Sequence, residues 1–117
     1  MNNNLINQFG LTARDMQTFE GIFMKYPEVE EVHLFGSRAK GNYKKGSDVD
    51  LAIMNSGFSE SSLLQLKSDF EDSSLPYSID IINFSTLKHK ELLDHIQRVG
   101  ILFYKRQKTQ DNSNSML

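Results

Sequence analysis

Residues 36–53 read GSRAKGNYKKGSDVDLAI. The run before them, Val32-His33-Leu34-Phe35, is apolar and predicts a strand that ends at Gly36. Asp48 to Met54 predicts a second strand. Between the two, Gly36 to Ser47 holds three glycines and four basic residues. That composition predicts a turn, with one helical turn at most, followed by a loop. A strand, a basic glycine-rich turn and a second strand therefore form the nucleus of the fold.

Upstream, Thr12 is placed as a helix N-cap with Asp15 three residues on, as in a capping box. Met16, Phe19, Phe23 and Tyr26 then recur at helical spacing, and Pro27 stops the helix. Downstream, Glu60 to Phe70 predicts a helix with Leu63, Leu66 and Phe70 on one face. Tyr77 to Phe84 predicts a third strand. Ser85 is the expected cap of a last helix with Leu92, Ile96 and Val99 inward and Gly100 as its stop. Ile101 to Tyr104 adds a short final strand. The alternation predicts an α/β (α+β) domain, a small mixed sheet of three to four strands packed with about four helices. Residues 1–106 form the expected single domain, and 107–117 a polar, disordered tail.

A chain of 117 residues suits one domain with a modest core. It is 38% hydrophobic and 24% charged, as ordinary globular proteins are. A net charge of −2 argues against direct binding of nucleic acid. The lack of cysteine excludes disulfides, thiolate metal sites and a cysteine nucleophile. The start lacks the basic and apolar regions of a signal peptide, and no apolar run approaches a membrane span. No membrane contact is expected, and the cytoplasm is the expected compartment.

Asp48 and Asp50 lie two apart, so in a strand both side chains share a face. Their Cα atoms would stand about 6.6 Å apart. Two carboxylates so placed repel unless cations sit between them, and hard divalent cations take oxygen ligands. Two such ions about 4 Å apart stabilise both the attacking and the leaving oxygen of an in-line displacement at phosphorus. Asp80 adds a third acid among Ile79, Ile81 and Ile82, a setting that predicts a buried strand. A carboxylate there is costly unless a metal, a basic partner or an edge position relieves it. Gly36-Ser37 supplies a close backbone approach and free amides for an anion. Arg38 follows directly and is a candidate phosphate contact. Lys40, Lys44 and Lys45 fit a solvated face better.

Gly-Ser, ten residues, then Asp-x-Asp resembles the signature of the DNA polymerase β-like nucleotidyltransferase superfamily, with Asp80 matching its third carboxylate. The short length and the GSRAKG opening look most like the bacterial minimal nucleotidyltransferases, the antitoxin halves of pairs with HEPN-type helical toxins. The resemblance covers roughly residues 11 to 104. It implies a nucleotidyltransferase fold and a Mg²⁺-dependent enzyme using two ions held by Asp48, Asp50 and Asp80. These three are the implied catalytic residues, and Gly36, Ser37 and Arg38 the nucleotide-binding ones. It further implies transfer of AMP from ATP to a tyrosine hydroxyl of a HEPN-type partner, in a hetero-oligomer. Large members of the superfamily carry an extra domain that holds the acceptor, and none is expected within these 117 residues.

Two alternatives stand beside that reading. One is nucleotidyl transfer to a small molecule such as an aminoglycoside. The other is a non-catalytic module that neutralises its partner by occlusion. His33, His89 and His95 do not form a metal set, since the last two fall on different helix faces. Tyr43 is either a stacking platform for a base or loop packing.

Overall fold

The computed structural model describes residues 5–107. The expected polar tail lies outside them, its first residue excepted. Helix α1 is Ala13–Met24, and its capping box is formed: Asp15 N–H donates to the Thr12 hydroxyl and Thr12 N–H to the Asp15 carboxylate, both at 3.0 Å. Strand β1 is Glu31–Phe35 and the short helix α2 is Ser37–Lys40. Strand β2 is Val49–Ile53, helix α3 Glu60–Glu71 and strand β3 Ile79–Asn83. Helix α4, Lys90–Val99, and strand β4, Ile101–Lys105, complete the order.

The four strands form one mixed sheet in the order β3-β2-β1-β4. β1 runs antiparallel to β2 and β4, while β2 and β3 are parallel. The parallel pair needs a crossover, and α3 provides it. Alternation along the strands sorts the side chains onto two faces. Val32, Leu34, Val49, Leu51, Ile53 and Ile81 belong to one cluster with Phe19 and Phe23 of α1 and Leu63, Leu66 and Phe70 of α3. Phe19 meets Phe103 edge-on at 5.0 Å and Phe70 at 5.5 Å, which ties α1 to β4 and α3. The other face carries Phe35 and Ala52 under Ile96 of α4, with Leu92 and Val99 packed alongside.

Two local expectations need correction. Ser85 does not cap the last helix. It lies in a 3₁₀ turn, Phe84–Thr86, and its hydroxyl donates to the Asn83 side chain at 3.1 Å. His89 is the cap, its Nδ1 accepting from Leu92 N–H at 3.2 Å. β3 is also not buried on both faces. It is an edge strand, and Asp80 on it is exposed. Gly100 ends α4 as expected, for reasons of space: a Cβ there would stand 2.5 Å from the Ile96 carbonyl oxygen. Among the described residues no helix is long and apolar enough to cross a membrane.

Candidate functional site

Asp50 alternates with the core residues Val49 and Leu51, so its carboxylate leaves the α1/α3 core and faces the α4 side. It is in register with Phe35 on β1 and with Asp80 on β3. Parallel neighbours in register point to the same face, so Asp50 and Asp80 share one side of the sheet. Asp48 lies one residue before β2 and is exposed. Its charge still reaches Asp50, whose carboxyl is pushed up to about 6 by burial, by Asp80 and by Asp48, in that order. Asp48 and Asp80 therefore both act on Asp50. None of the ion pairs among the described residues involves them.

Gly36 brings the turn onto this trio. Its backbone, at φ +77° and ψ −157°, lies in a region open almost only to glycine. A Cβ there would collide with the Asp50 Oδ2 and stand 3.2 Å from its Cγ. The backbone is thus packed against the carboxylate, a spacing any side chain would destroy. The Gly36 carbonyl accepts from Ala39 N–H at 3.2 Å and Lys40 N–H at 3.0 Å, which starts α2. The amides of Ser37 and Arg38 precede the first of these bonds, as leading helix amides do, and are available to an anion. Gly36 lies against Asp50, Asp80 is in register with Asp50, Ser37 opens α2 directly after Gly36, and Asp48 lies just before β2.

Arg38 does not face that side. It is only 2% exposed. Its Nε and Nη2 donate to the Ser47 carbonyl at 3.1 and 2.9 Å, and its Nη1 donates to the Phe9 carbonyl at 2.8 Å. The guanidinium lies over the rings of Tyr43 and Tyr77, 5.1 and 4.7 Å from their centres. The phosphate contact expected of Arg38 is corrected accordingly, because its donors are committed to backbone carbonyls. Tyr43 likewise packs on Arg38. Lys40, Lys44 and Lys45 are exposed. Tyr77 donates to Asp15 at 2.8 Å, and its hydroxyl is pushed up by burial and by that carboxylate. No sequence signal marked these partners, since Phe9 and Tyr77 come from distant segments. His33 pairs with Glu31, and His95 stacks edge-on against Phe35.

The donor chemistry fits a hard divalent cation: three carboxylates without a basic partner among the described residues. They are not drawn into a closed cluster, and no three acidic or imidazole groups among the described residues stand close enough to be a ready-made metal site. The arrangement is an open row along one sheet edge, with substrate oxygens left to complete any coordination shell.

A mixed sheet in which a Gly-Ser turn meets paired acids across two strands defines a nucleotidyltransferase of the polymerase β kind. The chain belongs to that family: the model "Polymerase beta, Nucleotidyltransferase" matches residues 17–109. Over 114 residues, 93% of this chain and 96% of the relative, it is 28% identical to the "Probable protein adenylyltransferase MntA" of Haemophilus influenzae. Its fold is similar to a crystallised toxin–antitoxin with AMP-PNP, at TM-score 0.64 and 19% identity over 85% of this chain and 78% of that one. It is also similar to a chain from the tri-AMPylated Shewanella oneidensis HEPN toxin in complex with its MNT antitoxin. There the TM-score is 0.54 and the identity 18%, over 84% of this chain and 77% of that one.

Proposed function

We propose that this protein transfers AMP from ATP to a hydroxyl, a tyrosine's, on a HEPN-type partner protein and so acts as an antitoxin. The observation that carries the reading is the meeting of Gly36, Asp50 and Asp80, the first packed against the second and the second in register with the third. The choice of acceptor is supported by the 28% identical relative, which spans nearly the whole chain and is named as a protein adenylyltransferase.

In this reading the amides of Ser37 and Arg38 and the Ser37 hydroxyl cradle the β- and γ-phosphates. Asp48, Asp50 and Asp80 would hold two Mg²⁺ ions, which when bound supply charge neutralisation at the triphosphate and the leaving pyrophosphate. Asp80 stands on the exposed edge strand, where an incoming acceptor reaches it first. It takes the proton of the acceptor hydroxyl as that oxygen attacks the α-phosphorus in line. The bond from the α-phosphorus to the bridging oxygen breaks, and pyrophosphate leaves. Positioning and charge neutralisation account for most of such catalysis.

The test is neutralisation of the partner in cells. Asp48→Ala, which leaves the fold's core untouched, should abolish protection by the chain, and the recovered partner should lack AMP by mass spectrometry. Full protection by Asp48→Ala would replace the enzyme with a module acting by occlusion.

A further inference from the structure

Arg38 immediately follows Ser37, and the carbonyl it grips belongs to Ser47, which immediately precedes Asp48. We propose that Arg38 is a positioning residue for nucleotidyl transfer: it fixes the distance between the phosphate-facing turn and the carboxylates by pinning the 41–47 loop between them. The inference rests on the reading of the site given above.

A buried guanidinium is costly, and Arg38 has no carboxylate in ion-pair contact among the described residues. Three charge-assisted hydrogen bonds to two carbonyls and two flanking aromatic rings offset that cost. An apolar residue of similar size would fill the space without the penalty. What it would not supply is directional hold on the Ser47 carbonyl. The loop's backbone bonds tie its start to Ser37, through Gly41 and Asn42 N–H at 2.9 and 3.2 Å, but its end only to itself: Ser47 N–H donates to the Lys44 carbonyl and Lys44 N–H to the Ser47 hydroxyl, both at 2.9 Å. Arg38 joins this local turn to the body of the domain.

The brace extends further. Tyr77, under the guanidinium, is held by Asp15, and Asp15 also closes the cap of α1. The capped end of α1 is thereby linked through Tyr77 and Arg38 to the start of β2. Gly10 makes room for the arrangement: a Cβ there would stand 2.8 Å from Arg38 Nη1 and 2.5 Å from the Tyr43 ring. A cavity of about 450 Å³ bounded by Tyr43, Lys45, Pro76 and Tyr77 opens onto the Arg38 side chain.

Arg38→Lys and Arg38→Ala, in the full chain with its partner, test the proposal. Hydrogen exchange in residues 41–50 should rise roughly tenfold in Arg38→Lys while β1 and β4 keep their protection. Its kcat for AMP transfer should fall about 100-fold with KM for ATP little changed, as displacement of a reacting group predicts. Methylguanidinium, entering through the cavity, should restore part of the kcat of Arg38→Ala, a recovery that a misfolded chain would not show. Unchanged loop exchange, or a rise in KM at constant kcat, would overturn the proposal, the latter by making Arg38 a substrate contact. If the wild-type chain transfers no nucleotide at all, the proposed function fails on its own, and the exchange rates alone decide whether Arg38 pins the loop.

Discussion

Replacing Gly36 with alanine should cost both stability and activity, and the structure separates the two causes. The first is backbone conformation: φ +77° with ψ −157° costs a residue with a side chain about 1–3 kcal/mol. The second is the collision of the new methyl group with the Asp50 carboxylate, an overpacking of about 1–3 kcal/mol if the site yields partly. Gly41 provides the control. It also has positive φ, at +86°, but a Cβ there meets nothing within 4 Å. Gly41→Ala should therefore cost only the left-handed backbone term, about 1–2 kcal/mol. Urea unfolding of the three proteins measures the differences at unchanged m-value. Gly36→Ala should be the less stable variant by at least about 1 kcal/mol. At a temperature where both are folded, only Gly36→Ala should lose transfer, by about 100-fold, because Asp50 must move to admit the methyl. Equal stability of the two variants, or full transfer by Gly36→Ala, would refute the argument that Gly36 is set by contact with Asp50.

Asp50, raised to about 6, destabilises the metal-free fold once it ionises. Its contribution is most favourable below the ordinary value of 3.8 and is lost as the pH rises through about 6. Allowing for its partial exposure, the loss is about 1–2 kcal/mol. Unfolding free energies in EDTA from pH 4 to 8 should show this decline in wild type and its reduction in Asp50→Asn. A divalent ion bound by the three acids should raise the melting temperature of the wild type, and Asp80→Asn should weaken that rise, as read by thermal unfolding across a Mg²⁺ titration. Phe19→Ala should cost about 3–5 kcal/mol, since its ring is fully buried between Phe70 and Phe103. A urea midpoint within the error of wild type would contradict that packing.

Features set by neighbours in sequence were legible without coordinates. The Thr12/Asp15 capping box, the inward face of α3 and the strand–turn–strand nucleus depend on short-range spacing, and all three are present. The register that sets Asp50 beside Asp80 was not legible, because pairing between distant strands leaves no local trace. The strand around Asp80 was read as buried from its isoleucines, with an edge position left open as one relief for the carboxylate, because hydrophobicity cannot say which strand ends at the sheet edge. Ser85 and His89 compete as caps within five residues, and the 3₁₀ turn that engages Ser85 decides between them. Arg38 was misread because a basic residue beside an anion-binding turn invites a phosphate. Its actual acceptors are carbonyls on either side of it in the chain, one of them 29 residues away. The Gly-Ser and Asp-x-Asp pattern marked the candidate site, and tertiary packing sets which side chains face it and which lie beneath it.

The central claim is that the site moves a nucleotidyl group to a protein hydroxyl. The direct measurement is incubation of the chain with Mg²⁺, the proposed HEPN-type acceptor protein and ATP labelled at either the α- or the γ-phosphate, beside Asp48→Ala/Asp50→Ala. Label on the partner from α-labelled ATP only, absent with the double variant, is the result expected. Label from γ-labelled ATP, or none from either while the wild-type complex forms, would contradict it.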